Sequence, residues 1–220
     1  MLISFEKRFL FVHVPKTGGT SMRAVLQKHA DPQDSAVNRL LESVGISVNH
    51  FLGSYRSYRF RTHERLAVVN RRLPNPVFAE LFKFGFVRDP WELLPSMYRF
   101  IRKTPHHKRH RAVSQMCFPT FIEFAIAKKL ANQKRLIANS RGEILLDFVG
   151  KFERLEADFA RVREKLGIRR GLPHLNGTKQ KTVAAYYDSA TVRRIQSAFA
   201  DDIETFGYAT EPTSSMPFAA

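Results

Sequence analysis

The sequence predicts an α/β fold, in which helices cover both faces of a central parallel sheet in a three-layer α/β/α arrangement. Short apolar runs rich in β-forming residues alternate with amphipathic segments of helical period along the chain. The 220 residues, 44% hydrophobic with 19 phenylalanines, are enough to bury one sizeable core. Since neither an internal repeat nor a linker divides the chain, we expect a single domain over residues 1–209. Residues 210–220 are small, polar and proline-containing, and they predict a disordered tail.

The first strand and helix are predicted close to the start of the chain. Residues 8–14, RFLFVHV, are apolar and β-prone, which indicates a buried strand. A helix follows from Thr20, because Met22, Val25 and Leu26 recur at helical spacing. The opening stretch MLISFEKRFLFVHV contains charges and no small-residue cleavage site, so it is interpreted as a strand of the fold and not as a signal peptide.

The middle of the chain predicts a second strand followed by a helix and a loop. One helix is expected around AVNRLLESVG, within residues 31–48. Residues 81–90, LFKFGFVRDP, predict a buried strand that ends at Asp89-Pro90, because proline cannot continue a ladder but can begin a helix. WELLPSMYRFI then has helical character with a local defect at Pro95. Residues 99–112 carry six Lys or Arg and no acid, which favours an exposed basic loop.

The chain from residue 118 onward predicts one strand and three helices. FPTFIEFAIAKKL has helical character, and EILLDFVGKFE contains the third strand. An amphipathic helix closed by Gly167 follows from apolar residues at steps of three and four, namely Phe152, Leu155, Phe159, Val162 and Leu166. The final helix begins at Asp188-Ser189 and is expected to bury Val192, Ile195, Phe199, Ile203 and Phe206.

Composition narrows the class of protein. The 36 basic and 20 acidic residues give a formal net charge of +16, which predicts an anionic partner without choosing its kind. No apolar run approaches the roughly 18 residues that cross a bilayer. A single cysteine, Cys117, excludes an internal disulfide and is expected to be a buried thiol because its neighbours are apolar.

A polar turn with two glycines joins the first strand to the first helix, Pro15-Lys16-Thr17-Gly18-Gly19-Thr20-Ser21. Such a turn presents backbone N–H groups at the positive end of a helix, lets an anion approach the glycines closely, and adds a lysine and hydroxyl donors. This predicts an oxyanion pocket, with a tight turn of no further function as the alternative. The lysine precedes the glycines, unlike the order G-x-x-x-x-G-K-[ST] of nucleoside-triphosphate P-loops, which disfavours a kinase or GTPase.

A second candidate phosphate site lies in FVRDPWELLPSMYRF, residues 86–100. Arg88 comes at the end of a buried strand, where open α/β sheets bind ligands. Ser96 follows about two helical turns later, so that a guanidinium and a hydroxyl could share one phosphate. The alternative is a structural salt bridge from Arg88 to Asp89 or to another acid.

Together the two motifs resemble the sulfotransferases that use 3′-phosphoadenosine-5′-phosphosulfate (PAPS). HVPKTGGTS resembles their 5′-phosphosulfate loop and FVRDPWELLPSMYRF their 3′-phosphate motif. The nearest branch is the carbohydrate branch, similar to heparan sulfate 2-O-sulfotransferases and their bacterial relatives. The likeness continues in NQKRLIANSRGEILLDFVGKFERLEADF, LPHLN and YYDSATVRRIQSAFADDIETFGY, and so covers most of residues 9–208.

The resemblance implies a P-loop-NTPase-like fold and sulfuryl transfer from PAPS to a hydroxyl, or to an amine, without a metal or a covalent enzyme intermediate. Lys16 would neutralise charge on the leaving 5′-phosphate. The surrounding turn residues Thr17, Gly18, Gly19, Thr20 and Ser21 would cradle that phosphate. Arg88 and Ser96 match the pair that holds the 3′-phosphate. Catalysis would then consist of positioning and electrostatic stabilisation of an in-line transition state.

The base for the acceptor hydroxyl is less clearly marked. His63, in FRTHERL, lies between the two motifs, where similar carbohydrate enzymes place a catalytic histidine. Histidine suits the role of a general base because its ordinary pKa is near neutrality. His50 and, in other branches, a glutamate compete with it, and His63 could equally be a surface residue on an arginine-rich helix. His13 is expected to be a satisfied core or cleft histidine.

The basic residues suggest an acceptor groove that would hold an anionic glycan. Candidates for its lining are Arg56, Arg59, Arg61 and the basic loop from Arg99 to Arg111, with a solvated cationic surface as the alternative. Lys179 and Lys181 could cover the nucleotide. His106, His107 and His110 are not expected to bind a metal, because no cysteine or carboxylate joins them. Rival functions are a nucleoside or small-molecule kinase and a non-catalytic protein that binds nucleic acid or another polyanion, although no nucleic-acid-binding signature is visible.

We expect a cytoplasmic enzyme. Similar Golgi enzymes carry an N-terminal membrane anchor and usually disulfides, whereas this chain enters its first strand almost at once and has one cysteine.

Overall fold

The computed structural model describes residues 1–31, 48–50, 59–173 and 186–212. Four strands form the main sheet: β1 (Leu2–Ser4), β2 (Phe9–Val12), β5 (Phe82–Val87) and β6 (Phe148–Lys151), in the order β1-β2-β5-β6. β2, β5 and β6 run parallel, with Phe9 opposite Phe82 and Phe84 opposite Phe148. A separate antiparallel pair consists of β3 (Val48–His50) and β4 (Arg59–Arg61). The predicted α/β class is confirmed.

The edge strand β1 was not predicted. It pairs antiparallel with β2, with Leu2 opposite Phe11, so the sheet is mixed and not purely parallel. The charged residues between the two strands make the turn: Ser4 Oγ accepts a hydrogen bond from Lys7 N at 3.1 Å, and Arg8 has a left-handed φ of 50°. The opening stretch therefore folds into two strands where the sequence predicted one.

Both faces of the two central strands, β2 and β5, are buried. On one face Phe9, Phe11, Phe84 and Phe86 pack against α1 (Gly19–Leu26) and α8 (Leu155–Leu166). Burial of each such phenylalanine contributes about 1.5–3 kcal/mol. On the other face the side chains are buried too, namely Leu10, Val12, Lys83 and Val87. Strands buried on both faces give the nearly continuous apolar runs from which they were predicted.

The remaining helices are, in chain order, α2 (Leu66–Arg72), α3 (Asn75–Glu80), α4 (Pro90–Lys103), α5 (His110–Val113), α6 (Phe118–Ala127), α7 (Lys134–Ile137), α9 (Ser189–Ala198) and α10 (Ala200–Phe206). A 3₁₀ turn over Phe152–Arg154 precedes α8, which Gly167 ends at a φ of 63° as predicted. In the part of the chain that the structure describes, no helix is long and apolar enough to cross a membrane.

The chain divides into two compact units. One consists of Met1–Val87 and Arg135–Leu175 and contains both sheets; the other consists of Arg88–Lys134 and Asn176–Ala220 and contains α4, α6, α9 and α10. The expectation of one domain over residues 1–209 stays a prediction. The helix expected around AVNRLLESVG, residues Lys179 and Lys181, and most of the predicted tail lie outside the described residues.

The helical unit is built around aromatic side chains. Trp91, Tyr98, Phe118, Phe121 and Phe199 are buried in one apolar cluster from α4, α6 and the C-terminal helices. The predicted C-terminal helix is two helices, α9 and α10, which meet at Phe199. Its predicted start is confirmed, because the Asp188 side chain caps α9 by accepting a hydrogen bond from Thr191 N at 2.7 Å.

Two expectations about surface segments are wrong. Residues 99–112 are not one exposed loop, because α4 runs through Lys103 and α5 begins at His110; cations suit the C-terminal end of a helix, so a run of them does not mark a loop. Cys117 is exposed and precedes the first residue of α6, with its Sγ 3.1 Å from Thr120 Oγ1. Its neighbour Phe118 turns into the core, so the apolar flanks do not bury the thiol.

Candidate functional site

The turn between β2 and α1 is fixed by two left-handed residues and one buried hydroxyl. Lys16 has a φ of 67° and Gly18 a φ of 78°. Thr17 is 1% exposed and donates its Oγ1 hydrogen to Val14 O at 2.9 Å. The Gly18 carbonyl accepts from Ser21 N at 3.1 Å, which closes the first turn of α1. The backbone thus reverses tightly at the carboxyl end of β2 and directs the N-terminus of α1 at the turn.

Gly18 has a left-handed φ that favours glycine, and the space beside both glycines of the turn is tight. A Cβ on Gly18 would lie 2.8 Å from a methyl of Leu155, and a Cβ on Gly19 would lie 2.0 Å from Nε2 of His13. The His13 ring therefore occupies the volume beside Gly19, and only glycine admits it there. The glycine pair has a packing role in addition to the close anion approach inferred from the sequence.

The polar residues of the turn differ in exposure. Thr20 is exposed, and Lys16 and Ser21 are half-buried. The Thr17 hydroxyl hydrogen is used within the turn itself, so Thr17 stabilises the loop from inside. Thr20 and Ser21 are the hydroxyls of the turn that reach its surface.

His63 lies in the turn after β4, beside His13, and not on a helix. Its Nδ1 donates a hydrogen bond to the His13 carbonyl oxygen at 2.7 Å, and the two ring centroids are 4.6 Å apart in an edge-to-face arrangement. Because a carbonyl can only accept, the neutral His63 ring carries its proton on Nδ1 and its lone pair on Nε2. The competing candidate His50 lies on β3, opposite Arg59.

The expectation that His13 is a satisfied histidine is wrong. Its Nδ1 is buried, and no residue that the structure describes meets it with a hydrogen bond. Burial lowers the pKa of His13 from 6.5 to about 2, with smaller contributions from the nearby charges of His63, the amino terminus and Arg23. His13 therefore stays neutral next to His63.

Arg88 directly follows β5 and is held at both ends. Its backbone N donates to Gln133 Oε1 at 2.8 Å, and its carbonyl accepts from Gln133 Nε2 at 2.7 Å. Its guanidinium Nη2 lies 2.9 Å from Glu92 Oε2, and both side chains are buried. The salt bridge considered from the sequence thus exists, with Glu92 as an acidic partner. Asp89 caps α4 by accepting from Trp91 N at 2.9 Å.

Ser96 is half-buried in α4, next to Pro95, which lies inside the continuous helix. Proline at position 95 has no N–H for the carbonyl of Trp91, one turn before it. The hydroxyl of Tyr187 donates to that carbonyl instead, and the Trp91 and Tyr187 rings pack edge to face with centroids 5.3 Å apart. In the sequence, Pro95 is the residue that indicates the need for another hydrogen-bond donor to the Trp91 carbonyl.

Sequence reasoning missed three of these residues. No local pattern distinguishes Gln133 within the stretch NQKRLIANS as a site residue. Glu92 is likewise one of several acidic residues, and nothing in the sequence identifies it as the partner of Arg88. His13 was placed in the core without its contact to His63. Each acts through a partner far away in the sequence or through burial, which local patterns do not encode.

Two histidines of residues 104–110 bond to the local backbone. His107 Nδ1 accepts from Arg109 N at 3.2 Å, and His110 Nδ1 donates to Ile101 O at 3.0 Å. Within the described ranges, no group of three or more His, Cys, Asp or Glu side chains is arranged to hold a metal ion.

Comparison with known proteins identifies the family of this chain. An uncharacterized protein of Archaeoglobus fulgidus is 26% identical over 102 residues, which cover 46% of this chain and 80% of that protein. The sequence model described as Sulfotransferase family matches residues 1–209, nearly the whole chain. The chain therefore belongs to the sulfotransferase family.

Proposed function

We propose that this protein transfers the sulfuryl group of PAPS to a hydroxyl of a carbohydrate acceptor, with an amine as the other acceptor class, by direct in-line displacement. The observation that carries the proposal is the turn between β2 and α1, in which Lys16 and two tightly packed glycines stand at a helix N-terminus. The family establishes sulfuryl transfer in general. The donor and the acceptor class are the proposal's own additions.

The turn is assigned to the 5′ end of the donor. Backbone N–H groups of Gly18 and Gly19 and the hydroxyls of Thr20 and Ser21 would surround the 5′-phosphate, while Thr17 keeps the loop closed from within. The Lys16 ammonium would neutralise the charge that grows on the leaving phosphate oxygen as the bond from that oxygen to sulfur breaks. Positioned charges of this kind are usually the largest contribution to catalysis of group transfer.

His63 is assigned as the general base, acting through Nε2. As the acceptor oxygen forms its bond to sulfur, Nε2 would take the hydroxyl proton. The hydrogen bond from His63 Nδ1 to the His13 carbonyl supports this assignment, because it keeps the lone pair on Nε2 in the neutral ring.

Arg88 and Ser96 are assigned to the 3′-phosphate, which distinguishes PAPS from ATP. The assignment rests on their match to the family motif. A guanidinium has five N–H donors, so the ion pair with Glu92 is compatible with a second anionic partner. Glu92 would then fix the direction of the guanidinium.

The carbohydrate acceptor is proposed on the resemblance to the carbohydrate branch and on the net charge of +16, which suits an anionic glycan. The same charge favours the rival polyanion-binding function. The two differ in one respect, since a simple polyanion binder has no use for a nucleotide with phosphates at both its 3′ and 5′ positions.

Titration calorimetry with 3′-phosphoadenosine 5′-phosphate, the product of the proposed reaction, tests the proposal. We expect saturable binding without magnesium and much weaker binding of ATP with magnesium. Tight binding of ATP with magnesium and none of the bisphosphate would favour a kinase. Binding of DNA or heparin that weakens with salt, with no nucleotide binding, would favour a polyanion-binding protein.

A further inference from the structure

Gln133 holds the backbone of Arg88 through both of its amide atoms. Its Oε1 accepts from Arg88 N at 2.8 Å and its Nε2 donates to Arg88 O at 2.7 Å. Gln133 is 1% exposed, so both bonds are shielded from water. A side-chain amide here replaces the two ladder bonds that a neighbouring strand would supply, at the residue where β5 has just ended.

The Gln133 side chain, which we call the clamp, is itself anchored by a buried carboxylate. Asp202 Oδ2 accepts from Gln133 N at 2.7 Å, and its Oδ1 accepts from Lys134 N at 2.9 Å. Asp202 is 1% exposed, and burial raises the pKa of its carboxyl. The carboxylate thus fixes the start of α7, and with it the position from which Gln133 reaches Arg88.

Arg88 is consequently restrained at its two ends by different residues. Gln133 fixes the main chain, and Glu92 fixes guanidinium Nη2 at 2.9 Å. A backbone bonded through both its N–H and its carbonyl has little freedom in φ and ψ, so the direction in which the side chain leaves the main chain is set. An arginine whose only task was a salt bridge to Glu92, four residues later on the first turn of α4, would not need this second restraint.

We propose that Gln133 is a positioning residue for Arg88, and that the Gln133–Asp202 pair gives the site its preference for a 3′-phosphorylated nucleotide. The inference rests on the proposed function, because it assumes that Arg88 contacts the 3′-phosphate. Gln133 does not touch the nucleotide; it acts by holding the Arg88 main chain in place.

The experiment measures how much the 3′-phosphate strengthens nucleotide binding. The readout is the dissociation constant of adenosine 5′-phosphate divided by that of 3′-phosphoadenosine 5′-phosphate. Gln133→Met keeps the length and burial of the side chain but removes both amide bonds. We expect it to lower the ratio about tenfold, because small misplacements of a binding group are costly. The dissociation constant of adenosine 5′-phosphate should change less than twofold.

Gln196→Met is the matched control. Gln196 lies on α9 in the same unit and donates Nε2 to Thr210 O at 3.0 Å, so the same substitution removes a bond unrelated to Arg88. Its ratio should equal that of the unchanged protein. Asp202→Asn, which keeps the shape of the anchor, should lower the ratio in the direction of Gln133→Met and provides a second variant if Gln133→Met does not fold.

A double-mutant cycle separates positioning from a merely structural role. In an Arg88→Ala background Gln133→Met should leave the ratio unchanged, because the clamp then has no guanidinium to place. Equal weakening of both nucleotides by Gln133→Met, or an unchanged ratio in a folded variant, would overturn the inference. A ratio near one in the unchanged protein would instead overturn the proposed function, and the role of the clamp with it.

Discussion

At the scale of single residues, Lys16 combines backbone strain with its proposed role. A left-handed φ costs a residue with a Cβ about 1–2 kcal/mol, and Lys16 has a φ of 67°. Such strain persists where the surrounding structure imposes it, and it is concentrated at functional sites. Lys129 offers a comparison, because it also has a left-handed φ, of 51°, but is not a residue of the candidate site.

Lys16→Gly should therefore be more stable than Lys16→Ala by about 1 kcal/mol in unfolding free energy, because glycine relieves the strain and alanine does not. Both variants should lose turnover by roughly a hundredfold or more, since the charge beside the leaving phosphate is gone. Chemical denaturation and a sulfuryl-transfer assay measure the two effects.

The corresponding substitutions of Lys129 provide the control. Lys129→Gly should exceed Lys129→Ala in stability by a similar amount, while turnover stays within about twofold of the unchanged protein. If Lys16→Gly retained full turnover, the assignment of Lys16 to the leaving phosphate would be wrong.

His13 predicts a dependence of stability on pH. Its pKa is about 2 in the folded protein and near 6.5 once exposed by unfolding. Between these values the unfolded chain binds a proton that the folded protein does not, so stability falls as the pH falls below about 6.5, by about 1.4 kcal/mol for each pH unit.

His13→Asn removes this titration. Relative to the unchanged protein, the variant should gain about 2 kcal/mol of unfolding free energy between pH 6.5 and pH 4.5, whatever its stability at neutral pH. Parallel stability curves for His13→Asn and the unchanged protein, measured by denaturation at each pH, would contradict the burial of a neutral His13.

At the scale of elements, α4 is stabilised across its own defect. Pro95 leaves the Trp91 carbonyl without a helical donor, and the Tyr187 hydroxyl supplies the missing hydrogen bond. The indole Nε1 of Trp91 in turn donates to Ala209 O at 2.9 Å. The first turns of α4 are therefore tied to the chain on both sides of α9 and α10.

Tyr187→Phe should cost about 1–3 kcal/mol, because it leaves a buried carbonyl without its donor. In a Pro95→Ala background the alanine N–H can bond the Trp91 carbonyl within the helix, so the same tyrosine substitution should cost clearly less. Thermal or chemical denaturation of the four proteins gives the coupling energy. An equal cost in both backgrounds would mean that the proline and the tyrosine are independent.

Elements of this fold could be predicted where the pattern is local. The strands β2 and β5, the helix α8 and its glycine stop, and the cap at Asp188 follow from apolar runs, helical spacing and end signals. The antiparallel β1 and the division of the last helix at Phe199 could not be predicted, because pairing and packing decide them. The same holds for the site: Lys16, Gly18, Gly19 and Arg88 are visible in motifs, whereas Gln133 acts through a distant backbone.

At the scale of the whole molecule, family membership extends over residues 1–209 and establishes sulfuryl transfer as the class of reaction. The net charge of +16 exceeds what a single nucleotide would require, which is why we propose an anionic glycan as the acceptor. Identifying the acceptor would show whether the positive charge binds the substrate of the reaction or only attracts polyanions in general.

The most direct measurement of the central claim is transfer from sulfur-labelled PAPS to a panel of acceptors that includes polysaccharides, small alcohols, amines and tyrosine peptides. We predict labelled carbohydrate and an equal amount of 3′-phosphoadenosine 5′-phosphate, without added metal, and loss of both products in Lys16→Ala and His63→Ala. If a protein sample that binds the nucleotide left all the label in PAPS with every acceptor, the proposed transfer would be contradicted. Label on a non-carbohydrate acceptor would support the reaction but refute the carbohydrate assignment.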